Sequence, residues 1–276
     1  YRYLPKFSIL KGIFDLRLLL YPLLKKSLKE FSPDVIDVQF LPLFPVAYKI
    51  GREIGAAIVL TEQDVNFKVY GEMGYKFVFL LKSLELFAIR KADAIVTLTE
   101  NDKQELSKYT NPQKIFVIPD GVDLDYFHPR HKSSAWLIRV RYSVNGPLLV
   151  FHGYYPYPPN AEAAWLIEKK IINKILKWVP NVKVMLIGAN PPKIEHPSII
   201  ITGFVEDLPQ HLCAADVAIV PLRSGGGIKD KVLEYLACGL PIVTTKKGAE
   251  GIGLTHRVNA MISEDVDNNF INYILE

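Results

Sequence analysis

Three consecutive glycines, Gly225, Gly226 and Gly227, are followed within seven residues by two lysines and a glutamate in the stretch Ser224 to Gly239, SGGGIKDKVLEYLACG. The residues before it, DVAIVPL, have the length and β-branched content of a buried strand, and those after it carry amphipathic helical spacing from about Ile228 or Lys229. A strand-to-helix turn leaves backbone N–H groups unpaired at the positive end of a helix dipole, and phosphate is the natural ligand for such a place. Glycine suits it because a Cβ would block a ligand's approach to the peptide and because glycine takes the positive φ that tight turns use. Lys229 and Lys231 put two cations where the dipole disfavours each by roughly 0.3 to 1 kcal/mol, so an anion is expected to offset them. Glu234, three residues beyond Lys231, shares its helix face and can accept hydrogen bonds from a vicinal diol such as ribose. The plainer readings are a mobile loop and a surface i,i+3 ion pair worth a few tenths of a kcal/mol. A GxGxxG dinucleotide fingerprint is absent.

The elements that must position these groups alternate along the chain. DVIDVQ, AAIVLTE, ADAIVTLT and KIFVIP read as strands, separated by helical patterns at FPVAYKIGREIG, from about Gly74 to Lys91, and from Glu100 to about Tyr109. At PDGVDLDYFHPRHK turn chemistry replaces periodicity, and a loosely organised basic segment follows to Asn145. A second series then runs PLLVFH, a helix from Asn160 to Trp178 with Asn160 as its N-cap, VKVMLIG, SIIIT, a short helix around Leu208 to Ala214, DVAIVPL, the glycine-led helix and PIVTT. The expected fold is α/β: two Rossmann-like, doubly wound domains facing a cleft, with residues 1–120 the first, 121–146 a connector and 147–276 the second. The first domain reads as incomplete, since its opening thirty residues are helical in pattern, and the chain is expected to stop without a finished final helix.

The composition is that of an ordinary folded protein, with 276 residues, 49% hydrophobic, 22% charged and a net charge of +4. The basic excess is scattered, which argues against a nucleic-acid partner. Cys213 and Cys238 have no partner at metal-ligand spacing and read as free thiols in a reducing compartment. No apolar run reaches spanning length, so the expected location is the cytoplasm. Residues 1 to 30, where Arg17, Lys25, Lys26 and Lys29 interleave with Leu and Phe, leave open a peripheral contact with the inner face of a membrane beside the commoner core-facing helix.

The segment TGFVEDLPQHLCAADVAIVPLRSGGGIKDKVLEYLACGLPIVTTKKGAEGI resembles the donor-binding half of family 4 glycosyltransferases, retaining enzymes of the GT-B architecture. IPDGVDLDYFHP resembles that family's interdomain connector, and FHGYYPYPPNAEAAWLI the opening strand, loop and helix of its second domain. The resemblance implies transfer of a sugar from a UDP-sugar or GDP-sugar donor to a saccharide or lipid-linked acceptor, with retention and with neither metal nor cofactor. It places the diphosphate on the amides of Gly225, Gly226 and Gly227 with Lys229 or Lys231, the ribose on Glu234, and the donor against Gly153 and the loop holding Val205. Gln63, in LTEQDVNF, stands where the family often has a sugar-facing histidine, with Glu62 and Asp64 beside it as acceptor contacts or surface groups.

The chain departs from the family pattern in three places. Gly226 occupies the position eight before Glu234 where many members have a second glutamate, Tyr154 to Asn160 stand where many carry an Arg and a Lys, and Gln63 cannot carry a proton. A sugar-nucleotide epimerase of the same architecture and a non-catalytic nucleotide-sugar-binding member are the alternatives. Two Asp-x-Asp triplets, at Asp123 and Asp265, lie outside any strand end and read as chance. His152 closes its strand toward the expected cleft, as a ligand contact or as a satisfied strand-end histidine.

Overall fold

The computed structural model describes residues 21–39, 41–72 and 74–276 and divides the chain into two compact units, Tyr1–Pro119 and Asp120–Glu276. Each is built on a wholly parallel sheet.

In the first unit, strands β1 (Val35–Val38), β2 (Ala57–Glu62), β3 (Ala94–Thr97) and β4 (Ile115–Val117) lie side by side in order of sequence. Neighbouring parallel strands joined by crossovers of one hand send their connecting helices to one face. The burial pattern agrees, since Ile58, Leu60 and Glu62 along β2 are buried and the residues between them are not. The helix expected from Gly74 begins later, at Val78–Lys91, and a second helix, Asn66–Glu72, precedes it. Buried Glu85 explains that extra helix: its carboxylate accepts the backbone N–H groups of Asn66 (2.8 Å) and Phe67 (2.9 Å), capping the helix from 19 residues away. Of the expected N-terminal helix, residues 21–31 are helical, and residues 1–20, with Arg17, lie outside the described residues. Lys25 and Lys29 reach Glu53 on helix Phe44–Ile54, at 2.9 and 3.6 Å. Among the described residues no helix is long and apolar enough to cross a membrane.

The second sheet contains β5 (Leu148–His152), β6 (Lys183–Ile187), β7 (Ile199–Gly203), β8 (Val217–Val220), β9 (Ile242–Thr245) and β10 (Met261–Ser263), in spatial order β10-β9-β8-β5-β6-β7. Every residue of β5 and β9 is buried, as expected of a parallel sheet covered on both faces. Strand β10 and helix Asn268–Leu275 extend the series past PIVTT, and Asp267 caps that helix by accepting the Phe270 N–H at 3.0 Å.

The connector belongs to this second unit, and its basic segment contains helix Trp136–Arg141, where periodicity gave no helix. Arg139 on that helix donates to the carbonyls of Ala214 (2.8 Å) and Gly146 (2.6 Å) and to Asp216 (3.2 Å). Asp216 accepts the Leu148 N–H at 2.7 Å, so the N-terminal ends of β5 and β8 are tied together. The first unit repeats this device, with Asp93 accepting the Ile58 N–H (2.8 Å) and an Arg52 hydrogen bond (2.7 Å) ahead of β3.

Beyond β6 the chain turns at Gly188, whose φ is 134° and where a Cβ would stand 1.9 Å from the Gly153 carbonyl oxygen. Gly188→Ala is therefore expected to lower unfolding stability by at least about 2 kcal/mol, read from the urea midpoint. A change below about 0.5 kcal/mol would show that the two turns can separate at little cost.

Candidate functional site

The strands of the second sheet all end at one edge, and between β5 and β8 the connections leave in opposite directions, β5 toward β6 and β8 toward β9. A crevice opens where the strand order reverses in this way. The segments flanking it are Gly153 to Asn160, after β5, and Pro221 to Asp230, after β8.

The glycine segment has left-handed backbone at Gly225 (φ 105°) and Gly227 (φ 58°). A Cβ on Gly225 would lie 3.0 Å from the Tyr157 hydroxyl and 3.4 Å from Pro159, so the loop after β8 packs directly on the loop after β5. The Thr245 hydroxyl at the end of β9 donates to the Leu222 carbonyl and ties down the start of this segment. The helix that follows is Asp230–Ala237, with Lys229 at the N-cap position and no side-chain cap on its first turn. The dipole of this helix makes that end electropositive. Lys229 is buried and donates to the carbonyls of Gly226 (2.6 Å) and Gly227 (2.7 Å), so it braces the glycine loop.

Lys231 donates to Asn160 Oδ1 at 2.5 Å and lies 4.8 Å from the centre of the Phe151 ring. Burial of its ammonium, reinforced by the charge of Lys229, pushes its pKa down to about 7, against the pull of Glu234 and Asp230. Asn160 is not the N-cap that the sequence suggested. Pro158 and Pro159 fill the first helical positions, which leaves Tyr157 at the cap and Asn160 one turn inside. Its amide is thereby free to donate to the Tyr154 carbonyl (2.9 Å) while accepting from Lys231.

Glu234 meets His152, with Nε2 and Oε2 separated by 2.6 Å. Among the described residues Lys231 and Glu234 make no ion pair with each other, contrary to the simplest expectation for an i,i+3 pair. His152 lies at the end of β5 and is buried; its backbone N–H donates to Tyr235 Oη at 2.9 Å, and its Nδ1 lies 2.9 Å from the same oxygen. The carboxylate facing Nε2 favours the tautomer with its hydrogen there, and Nδ1 then accepts from the Tyr235 hydroxyl, whose oxygen also accepts the backbone N–H. Burial lowers the His152 pKa despite the neighbouring carboxylate, in keeping with a neutral ring.

The other expected site residues are spread more widely. A Cβ on Gly153 would meet Asn160 Nδ2 at 2.7 Å, so this glycine makes room for the Asn160 side chain. Val205 follows β7, two strands from β5, and is partly buried against the core. Gln63 is exposed just past β2 in the first unit. Its neighbour Glu62 is buried rather than superficial: Asn66 donates to Oε2 at 3.0 Å, Oε1 has no hydrogen-bond partner, and burial beside Glu85 and Asp64 holds its pKa well above the usual carboxylate range. The Asp-x-Asp triplets have structural work. Asp123 accepts two turn N–H groups, Asp265 pairs with Arg223 at 3.0 Å, and Asp267 is the helix cap already described. Among the described residues no group of three His, Cys, Asp or Glu side chains is placed to hold a metal. No local spacing pointed to Tyr235 as the partner of His152, 83 residues away, or to Asn160 as the partner of Lys231.

Comparison with known proteins gives the geometry a family. Residues 3–126 match the model for Glycosyltransferase Family 4, and residues 146–276 match the model for Glycosyl transferases group 1. The chain belongs to the family 4 glycosyltransferases. Its chemistry is glycosyl transfer, and its two Rossmann-like units are those of the GT-B fold. This glycosyltransferase is 25% identical to the UDP-Gal:α-D-GlcNAc-diphosphoundecaprenol α-1,3-galactosyltransferase of Escherichia coli over 97% of the chain and 71% of the relative. It is 23% identical to the D-inositol 3-phosphate glycosyltransferase of Geodermatophilus obscurus over 82% of the chain, and it spans about half, 52%, of that protein. Anabaena HepE in complex with UDP-glucose has the same fold, with a TM-score of 0.74 and 17% identity over 95% of this chain and 74% of that one. The sucrose-phosphate synthase of Thermosynechococcus elongatus superposes with a TM-score of 0.76 and 14% identity, covering 99% of this chain and 70% of that one.

The low pKa of Lys231 has a measurable sign. The unfolded chain keeps this proton up to the ordinary 10.5 and the folded chain releases it near 7, so between those values the unfolded state binds more protons and stability from this group rises with pH. The unfolding free energy of the wild type minus that of Lys231→Met is therefore expected to climb between pH 7 and 10 in urea titrations. A flat difference would mean that the ammonium is not desolvated.

Proposed function

We propose that this chain transfers a hexosyl group from a UDP-sugar to an acceptor hydroxyl, with retention of anomeric configuration and without a bound metal ion. The observation that carries the reading is the convergence beside β5 and β8 of a left-handed glycine loop, a helix N-terminus with no side-chain cap, Lys231 and Glu234. On this reading the second unit takes the donor and the first unit the acceptor. The amides of Gly225, Gly226 and Gly227 and the Lys231 ammonium hold the diphosphate, Lys229 keeps the loop in shape, and Glu234 accepts hydrogen bonds from the ribose hydroxyls. The loops at Gly153 and Val205 complete the donor pocket.

The step breaks the bond between the sugar's anomeric carbon and the diphosphate oxygen and forms one to the acceptor oxygen on the same face. The acceptor's hydroxyl proton passes to the departing phosphate. Fixed donors stabilise the charge that develops on the leaving group. A diphosphate beside Lys231 favours its protonated form, so the lysine is a full cation when the charge arrives.

The preference for uridine draws on the UDP-Gal donor named for the Escherichia coli relative and on the UDP-glucose held by HepE. The diphosphoundecaprenol acceptor of the former favours a lipid-linked saccharide, and with it peripheral contact at the cytoplasmic face of a membrane.

Incubation with a panel of UDP- and GDP-sugars tests the reading. Release of UDP that is insensitive to EDTA is the expected result, with the product anomer matching the donor by NMR. Interconversion of the donors would indicate an epimerase, and binding without turnover a non-catalytic member. In calorimetry Lys231→Ala is expected to weaken UDP about 10- to 100-fold and uridine less than about 2-fold. Equal losses would remove the charge role.

A further inference from the structure

We propose that His152 is a positioning residue of the donor site: its buried ring, held from behind by Tyr235, stands 2.6 Å from Glu234 Oε2 and keeps that carboxylate in place for a vicinal diol. This rests on the reading of Glu234 as the group that grips ribose.

The geometry supplies each link. His152 closes β5, whose five residues are all buried, so its backbone is fixed to the centre of the sheet. Its imidazole spans to two consecutive residues of helix Asp230–Ala237, with Nδ1 at Tyr235 Oη (2.9 Å) and Nε2 at Glu234 Oε2 (2.6 Å). The Glu234 carboxylate facing Nε2 selects the tautomer with its hydrogen there, since a ring lone pair would oppose the oxygen, and Nδ1 then accepts from the Tyr235 hydroxyl. Glutamate has three rotatable side-chain bonds, and a 2.6 Å polar contact with a buried ring, which leaves Oε2 enclosed, removes much of that freedom before a ligand arrives. A neutral donor also leaves the carboxylate its negative charge. Oε2 is buried against the ring, which leaves the two acceptor positions of Oε1 for two hydroxyls. Lys231, on the same helix face, would neutralise and divert Glu234 if it reached it, but Asn160 holds it.

The test compares binding of UDP and its 2′,3′-dideoxy analogue to the wild type, His152→Ala, Glu234→Ala and the double variant. Because the ratio is taken within one protein sample, partial unfolding or a general loss of fit cancels. The wild type is expected to favour UDP by about 10- to 100-fold, and either single change to bring that preference below about 3-fold, with no further fall in the double variant. His152→Gln, whose amide nitrogen can stand in for Nε2, is expected to keep most of the preference, while His152→Asn, which reaches only as far as Nδ1, is expected to lose it. This pair carries the test if His152→Ala does not fold. A preference lost in Glu234→Ala but kept in His152→Ala or His152→Asn overturns the positioning role and leaves the ribose reading intact. A preference kept in Glu234→Ala overturns the ribose reading, and the role of His152 falls with it.

Discussion

Opposite charges three residues apart on one helix face attract each other, and here they are kept from meeting. Asn160 takes the ammonium of Lys231 at 2.5 Å, and His152 takes the carboxylate of Glu234 at 2.6 Å. Both restraints come from the β5 side, and both charges sit on the helix that follows β8. The separation therefore exists only because β5 and β8 are neighbours, which follows from the reversed strand order of the second sheet. A collapsed ion pair would offer a ligand neither charge. Held apart, the two groups present a cation beside the glycine loop and an anion one helical turn further on. The cost is visible at Lys231, whose proton becomes loosely held because its desolvation is not balanced by a carboxylate in contact.

The rest of the second unit makes that separation rigid. The strand carrying His152 is buried along its whole length, and its far end is locked to β8 through Asp216 and Arg139. Gly188 and Gly153 lack side chains where the loops beyond β5 and β6 press on each other and on Asn160. Thr245 secures the start of the glycine segment, and Lys229 secures its middle. Polar groups held on buried strands and braced by further hydrogen bonds keep their geometry better than groups on free loops.

The first unit shows the same economy in another form. Glu85 spends its buried carboxylate on capping helix Asn66–Glu72 immediately beyond Gln63, so the exposed end of β2 is backed by a fixed helix rather than by mobile chain. Burial, reinforced by the charge of Asp64, holds both Glu62 and Glu85 toward their protonated forms, with the Glu85 pKa pushed up to about 7. Lys25 and Lys29, which composition alone allowed to face a membrane, are drawn to Glu53.

Sequence alone determined the alternation of strands and helices, the parallel sheets, the glycine-led helix with its lysines and glutamate, and the family resemblance. All of these are local: β-branched runs, helical periodicity and turn residues act over a few positions, and a motif is read along one segment. It misplaced what depends on residues far apart. Asn160 looked like a cap because Asn commonly is one, but two prolines moved the helix start and freed the amide for Lys231, 71 residues away. Helix Asn66–Glu72 is capped from Glu85, helix Trp136–Arg141 is pinned through Arg139, and the pairing of Tyr235 with His152 crosses 83 residues. Only the tertiary structure decided which partner each charged or polar group has, because burial and hydrogen bonding depend on which strands become neighbours, and no single segment records that.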